Sequence, residues 1–142
     1  MTSQDLIAML PHRPPMLLVD RVLEVIPAEH VVAEHDVRAD AFWCSGHFPG
    51  NPVMPGVLIA EALAQTAALV HLAAHPDAGG TTVLLAGMDK VRFRKPVVPG
   101  DTLRLDVRAL SCRRGIYQFE AVATVEGQRV ANGAFLAAVA RD

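Results

Sequence analysis

The run VLIAEALAQTAALVHLAA at residues 57–74 is apolar on nearly every face of a helix. A helix with no polar side cannot simply lie on a surface, so the rest of the chain must wrap it. Taken from Gly56, the run is also long and apolar enough to raise the question of a membrane span. It contains Glu61, Gln65, Thr66 and His71, however, and a carboxylate and an amide in mid-span are costly in lipid. The expectation is the buried central helix of a soluble protein.

The wrapping must come from strands, because the rest of the chain reads that way. A short helix capped by Thr2 or Ser3 ends before Pro11. Met16–Ile26 and Val31–Arg38 read as strands, rich in branched apolar residues or roughly alternating. After a loop at His75–Gly80, four more strands follow: Thr82–Lys95, Thr102–Cys112, Ile116–Glu126 and Arg129–Arg141. The Pro96–Gly100 turn, the Arg113–Gly115 turn and a hairpin at Glu126–Gln128 join them. Turns this short imply antiparallel neighbours. The fold class is α+β, an antiparallel sheet of about six strands curled around one helix. The outer face and edge of such a sheet leave room for self-association.

Composition fits that reading. The chain has 142 residues, 51% of them hydrophobic and 20% charged, which suits one globular domain over 1–142. A net charge of -2 argues against a dedicated nucleic-acid binder. The two cysteines, Cys44 and Cys112, form no CxxC and no metal cage, and are expected to stay reduced and pack as small hydrophobes. The start MTSQDLIAML lacks the features of a signal peptide, so the expected location is cytoplasmic.

Residues 39–56, ADAFWCSGHFPGNPVMPG, change style, with three prolines and three glycines. This is an ordered loop of special geometry, and a long loop carrying His, Phe and Trp in a small domain is more often functional than a plain connector. It delivers His47 just ahead of the helix that carries Glu61, with Gln65 one turn further on the same face. Between Ala60, Ala62, Leu63 and Ala64, the Glu61 carboxyl is expected to be buried and to hold its proton near neutrality. A neutral imidazole facing a protonated carboxyl is equipment for an elimination. The imidazole takes a proton from the carbon beside a carbonyl, and the acid protonates the leaving hydroxyl. The free N–H groups near Gly56 and Val57, at the positive end of the helix, would stabilise the charge growing on a thioester oxygen. From the residues alone, plainer readings stand beside this one: His47 as a structural loop histidine, and Glu61 as an interface residue satisfied by a partner subunit.

Other candidates are weaker. His71 and His75 are spaced to share a metal on one helix face, but no third ligand follows at a recognised spacing, and protonated they would suit a helix C-terminus. His12, His30 and His35 are expected to face solvent or satisfy local bonds. Trp43 and Phe48 are expected to pack the loop. Ser45 lies in no nucleophile elbow. Lys90, Arg92, Arg94 and Lys95 in one strand, and Arg113 and Arg114 in one turn, read either as a solvated face or as a surface for an acidic protein or a phosphate.

Five stretches then carry a resemblance: LPHRPPMLLVDRV at 10–22, GHFPGNPVMPGVLIAEALAQ at 46–65, AGMDKVRFRKPVVPGD at 86–101, RRG at 113–115, and the final strand pair. The chain resembles the 3-hydroxyacyl-[acyl-carrier-protein] dehydratases of the FabZ kind. The resemblance implies a hot-dog fold and a homodimer whose two sites each take His from one subunit and Glu from the other. It also implies that three dimers form a hexamer and that no metal or redox cofactor is used. Carried over by motif position, His47 is the catalytic histidine and Glu61 the catalytic carboxylate. Gln65 supports Glu61, the Gly56 N–H holds the thioester carbonyl, and Val57 and Phe48 adjoin the substrate. The related dehydratase–isomerases of the FabA kind have Asp where this chain has Glu61, which favours simple dehydration. The implied partner is an acidic acyl carrier protein, for which Arg92, Arg94, Lys95, Arg113 and Arg114 form a sensible dock. Trp43 and Cys44 depart from the family pattern beside the site.

Overall fold

The computed structural model describes residues 1–77 and 81–141. Its elements are α1 (Ser3–Ala8), β1 (Arg21–Ile26), β2 (His30–Asp36), α2 (Gly56–Ala74), β3 (Thr81–Phe93), β4 (Thr102–Arg113), β5 (Ile116–Val125) and β6 (Gln128–Arg141). The strands form a six-stranded sheet in the order β1-β2-β4-β5-β6-β3, antiparallel at every pairing. Alternation decides which face is covered. Leu103, Leu105 and Val107 of β4 are buried, while Arg104 and Arg108 between and beyond them are exposed. Phe119, Ala121 and Ala123 of β5 and Phe135 and Ala137 of β6 continue the buried face. They share one apolar cluster with Leu63, Ala67, Leu69 and Val70 of α2. α2 is long and apolar enough to cross a membrane by length and composition, yet most of it is enclosed by the protein itself. This is the hot-dog arrangement.

Two details of the sheet matter for the site. β3 is an edge strand, and it exposes Leu84, Leu85 and Met88. It bulges between Asp89 and Arg92, with Lys90 in the left-handed region at φ 54°. Opposite the bulge stands Gly133 of β6, where an added Cβ would lie 2.9 Å from Val91 Cγ2. Glycine there admits the Val91 side chain.

Several local expectations shift. Thr2 is the cap of α1, with its side chain accepting from the Asp5 N–H and the Asp5 carboxylate accepting in return. β1 begins at Arg21 rather than Met16. Arg13 O accepts the N–H groups of Met16 and Leu17 in a turn, and Leu18 N–H donates to the Gln65 side chain instead of to a strand. Residues 12–19 thus cross α2 as a strap. Cys112 is exposed rather than packed, while Cys44 is half-buried with its Sγ 3.3 Å from Arg38 O.

Candidate active site

The loop before α2 is held from inside. Trp43 is buried, and its carbonyl accepts the His47 N–H at 2.9 Å. The Val53 N–H returns to His47 O at 2.7 Å, and Met54 N–H donates to Val97 O at 2.7 Å, tying the loop to the β3–β4 connection. These bonds place His47 Nδ1 2.7 Å from Val53 O. A carbonyl oxygen can only accept, so Nδ1 carries a hydrogen, and in the neutral imidazole it is Nε2 that presents a lone pair. Phe48 packs within the loop itself and not into the core. Its ring stacks on the His47 imidazole, centroids 4.2 Å apart, and stays about half exposed.

α2 then starts without a side-chain cap, at Pro55. Pro55 O accepts the N–H groups of Leu58 and Ile59, and those of Gly56 and Val57 have no acceptor within the helix. The Phe93 ring from the end of β3 packs on Gly56, 3.1 Å from where a Cβ would stand. The helix N-terminus therefore has one aromatic wall.

Glu61 lies a turn and a half further along and is less enclosed within one chain than its alanine neighbours suggest, with its side chain 29% exposed. Gln65, fully buried, organises it. Leu18 N–H donates to Gln65 Oε1 at 2.8 Å, so the amide nitrogen must point the other way. Nε2 donates to Met16 O at 2.7 Å and to Glu61 Oε2 at 2.8 Å. The same oxygen lies 3.4 Å from Nε2 of His12. His12 was expected to face solvent or bond locally. The clue that could have found it is its place in LPHRPPMLLVDRV, one of the stretches that carry the family resemblance.

Glu61, His12, Gln65, Val83, Leu85 and Phe135 help to line a cavity of about 140 Å³. His47 is not among its lining residues. The cavity opens beside β3, the exposed sheet edge.

The remaining candidates disperse. Arg94 donates to Asn132 Oδ1 at 2.8 Å, and Lys95 bonds the side chain of Gln128. Arg92 pairs in register with Asn132, whereas Arg113 pairs with Ile116, which pairs with Ala138. The stretch of β6 from Asn132 to Ala138 is about 20 Å long. The two arginine groups thus sit at opposite ends of the strands and form no single patch on one chain. His71 and His75 stack, centroids 4.3 Å apart, and do not converge on a shared point. His71 is buried, its Nδ1 2.8 Å from the Tyr117 hydroxyl. Burial, and secondarily the charge of His75, lower the His71 pKa from its ordinary value, which works against a protonated helix cap. Burial also pushes the Tyr117 hydroxyl up to about 12. His30 bonds not a near neighbour but Asp106 across the sheet at 2.7 Å, and His35 Nδ1 lies 3.0 Å from Asp20 Oδ2 without hydrogen-bond geometry.

Known proteins share both the sequence and the fold. Residues 10–134 match the FabA-like domain. A 3-hydroxyacyl-[acyl-carrier-protein] dehydratase FabZ of Roseiflexus sp. (strain RS-1) is 49% identical over 142 residues, spanning 100% of this chain and 99% of the relative. Among solved structures, the dehydratase heterocomplex ApeI:P of Xenorhabdus doucetiae matches with a TM-score of 0.82 at 22% identity, over 96% of this chain and 91% of that one. A hypothetical thioesterase with coenzyme A from Streptococcus pneumoniae TIGR4 matches with a TM-score of 0.66 at 15% identity, over 86% of each chain. At those identities the structural likeness is one of fold alone. The chain belongs to the FabA-like family, and within it to the FabZ 3-hydroxyacyl-[acyl-carrier-protein] dehydratases.

Proposed function

We propose that this protein removes water from (3R)-3-hydroxyacyl-[acyl-carrier-protein] to give the trans-2-enoyl thioester, in type II fatty acid biosynthesis in the cytoplasm. The observation that carries this is the His47 tautomer, set by a backbone carbonyl in a chain matched end to end by a dehydratase of this kind. His47 Nε2 takes the proton from C2. The C2–C3 double bond forms as the C3–O bond breaks, and the hydroxyl leaves as water with the proton of Glu61. The Gly56 N–H, with Val57 beside it, receives the charge that develops on the thioester oxygen. Phe48 and Phe93 supply apolar walls on either side.

The site is completed by a second copy of the chain. Two features support this: His47 is absent from the cavity that holds Glu61, and that cavity adjoins an unpaired edge strand exposing Leu84, Leu85 and Met88. A trimer of such dimers is the assembly the family resemblance implies. The acidic carrier protein docks on Arg92, Arg94 and Lys95 near the helix start, with Arg113 and Arg114 available from the other end of the sheet.

The test is absorbance at the enoyl-thioester band in the hydration direction, using wild type and His47→Ala. Loss of absorbance with wild type that is abolished in the variant supports the proposal. Release of free thiol without hydration would point to a thioesterase instead.

A further inference from the structure

We propose that His12 is a positioning residue for Glu61, holding one carboxyl oxygen so that the other is the one presented to substrate. The proposal rests on Glu61 being the carboxylate of the site. Three observations carry it.

The first is which oxygen is engaged. Gln65 Nε2 and His12 Nε2 both approach Glu61 Oε2, at 2.8 and 3.4 Å, and among the described residues Oε1 has no hydrogen-bond partner. An oxygen that accepts an N–H keeps its lone pairs facing that donor. A proton on this carboxyl therefore sits on Oε1.

The second is how His12 gets there. The strap at residues 12–19 is fastened to α2 through Gln65, which bonds Met16 O and Leu18 N on the strap and Glu61 on the helix. One amide thus sets the carboxylate and the segment that delivers the imidazole.

The third is that packing alone does not explain His12. Its Nδ1 is buried without a hydrogen-bond partner, and Glu61 is the only polar partner of its ring among the described residues. Burying a polar atom unpaired costs free energy. A residue kept for filling space would avoid that cost with an apolar side chain.

The consequence is differential. When Glu61 gives up its proton, the carboxylate that forms meets the Gln65 N–H already bonded to Oε2, with the His12 ring nitrogen 3.4 Å from the same oxygen. Donors placed where charge develops favour the transition state over the ground state.

The experiment uses the full chain in its native assembly and trans-2-enoyl thioester hydration, with His12→Leu, His12→Gln, Glu61→Ala and the double variant His12→Leu/Glu61→Ala. Leucine removes the donor, and glutamine returns an N–H at similar reach. Losing the Nε2 approach to the charging carboxylate should lower kcat about 10-fold or more in His12→Leu. KM should stay within about 3-fold, because the interaction strengthens only in the transition state. His12→Gln should recover most of kcat, and His12→Leu should cost nothing further on top of Glu61→Ala. The proposal is overturned by wild-type kcat in His12→Leu. It is also overturned if leucine and glutamine give equal losses that track a fall in thermal unfolding temperature, or if the double variant loses further rate. A Glu61→Ala protein that works at the wild-type rate overturns the assignment of Glu61 itself, a result separable from the others.

Discussion

The amide of Gln65 donates to Glu61 Oε2 at 2.8 Å while both of its ends are occupied by backbone from residues 16 and 18. A carboxylate on a helix can rotate freely. This one cannot, because its partner's orientation is dictated by a carbonyl and an N–H that have no other choice. The order of the site near Glu61 is thus inherited from the main chain of a strap far away in sequence.

Removing that amide should loosen both parts. Gln65→Leu leaves the Leu18 N–H unpaired in a buried place and strips the part-buried Met16 O of its donor, and the expected loss is about 1–3 kcal/mol of unfolding free energy. Gln65→Glu should be comparably costly, since a carboxylate cannot donate to Met16 O or Glu61. Urea unfolding checks this. Wild-type stability in both variants would mean that burial of Leu18 and Val19 holds the strap without help.

Sharing of the site between subunits predicts complementation. A His47→Ala chain mixed and co-refolded with a Glu61→Ala chain should regain activity, since a mixed dimer holds one site with both residues intact. A confirmed mixed dimer with no recovered rate would show that each site is built within one chain.

Gly56→Ala should separate catalysis from stability. The new methyl would meet the Phe93 ring at 3.1 Å, and that half-exposed ring can shift by a few tenths of an ångström. Stability should change by less than about 1 kcal/mol, as for Gly-to-Ala exchanges in helices. The rate should fall about 10-fold or more, because the methyl and the displaced ring crowd the approach to the N–H. An unchanged kcat would remove the Gly56 N–H from its assigned role.

His71 makes stability depend on pH. Its folded-state value is lowered from 6.5, chiefly by burial, so as pH falls the unfolded chain takes up a proton that the folded chain refuses. Stability should therefore decline as pH drops from 7 through 6.5 towards the lowered folded value, and level off below it. His71→Gln, which still offers the Tyr117 hydroxyl a partner, should flatten that decline between pH 7 and 5. Urea midpoints at each pH decide it: parallel slopes for both proteins would place the titration elsewhere.

Much of the fold was legible because period and composition act locally. The central helix declares itself by having no polar face, and β4 by the alternation of Leu103, Leu105 and Val107 with Arg104, Asp106 and Arg108. The segment Met16–Asp20 misled because it has strand composition, yet its N–H at Leu18 finds an acceptor 47 residues away.

The amino-acid sequence by itself determined the element order, the buried face of each strand and the two motifs that carry His47 and Glu61. These follow from neighbours a few residues apart, through side-chain periodicity and the fixed preferences of Pro and Gly. Only the tertiary structure decided the His47 tautomer, the free oxygen of Glu61, the arrival of His12, and the separation of Arg92 from Arg113 along the sheet. Each of those depends on which donor meets which acceptor, or which residue falls in register with which. Such pairings are made between atoms that the chain brings together only when it closes on its core.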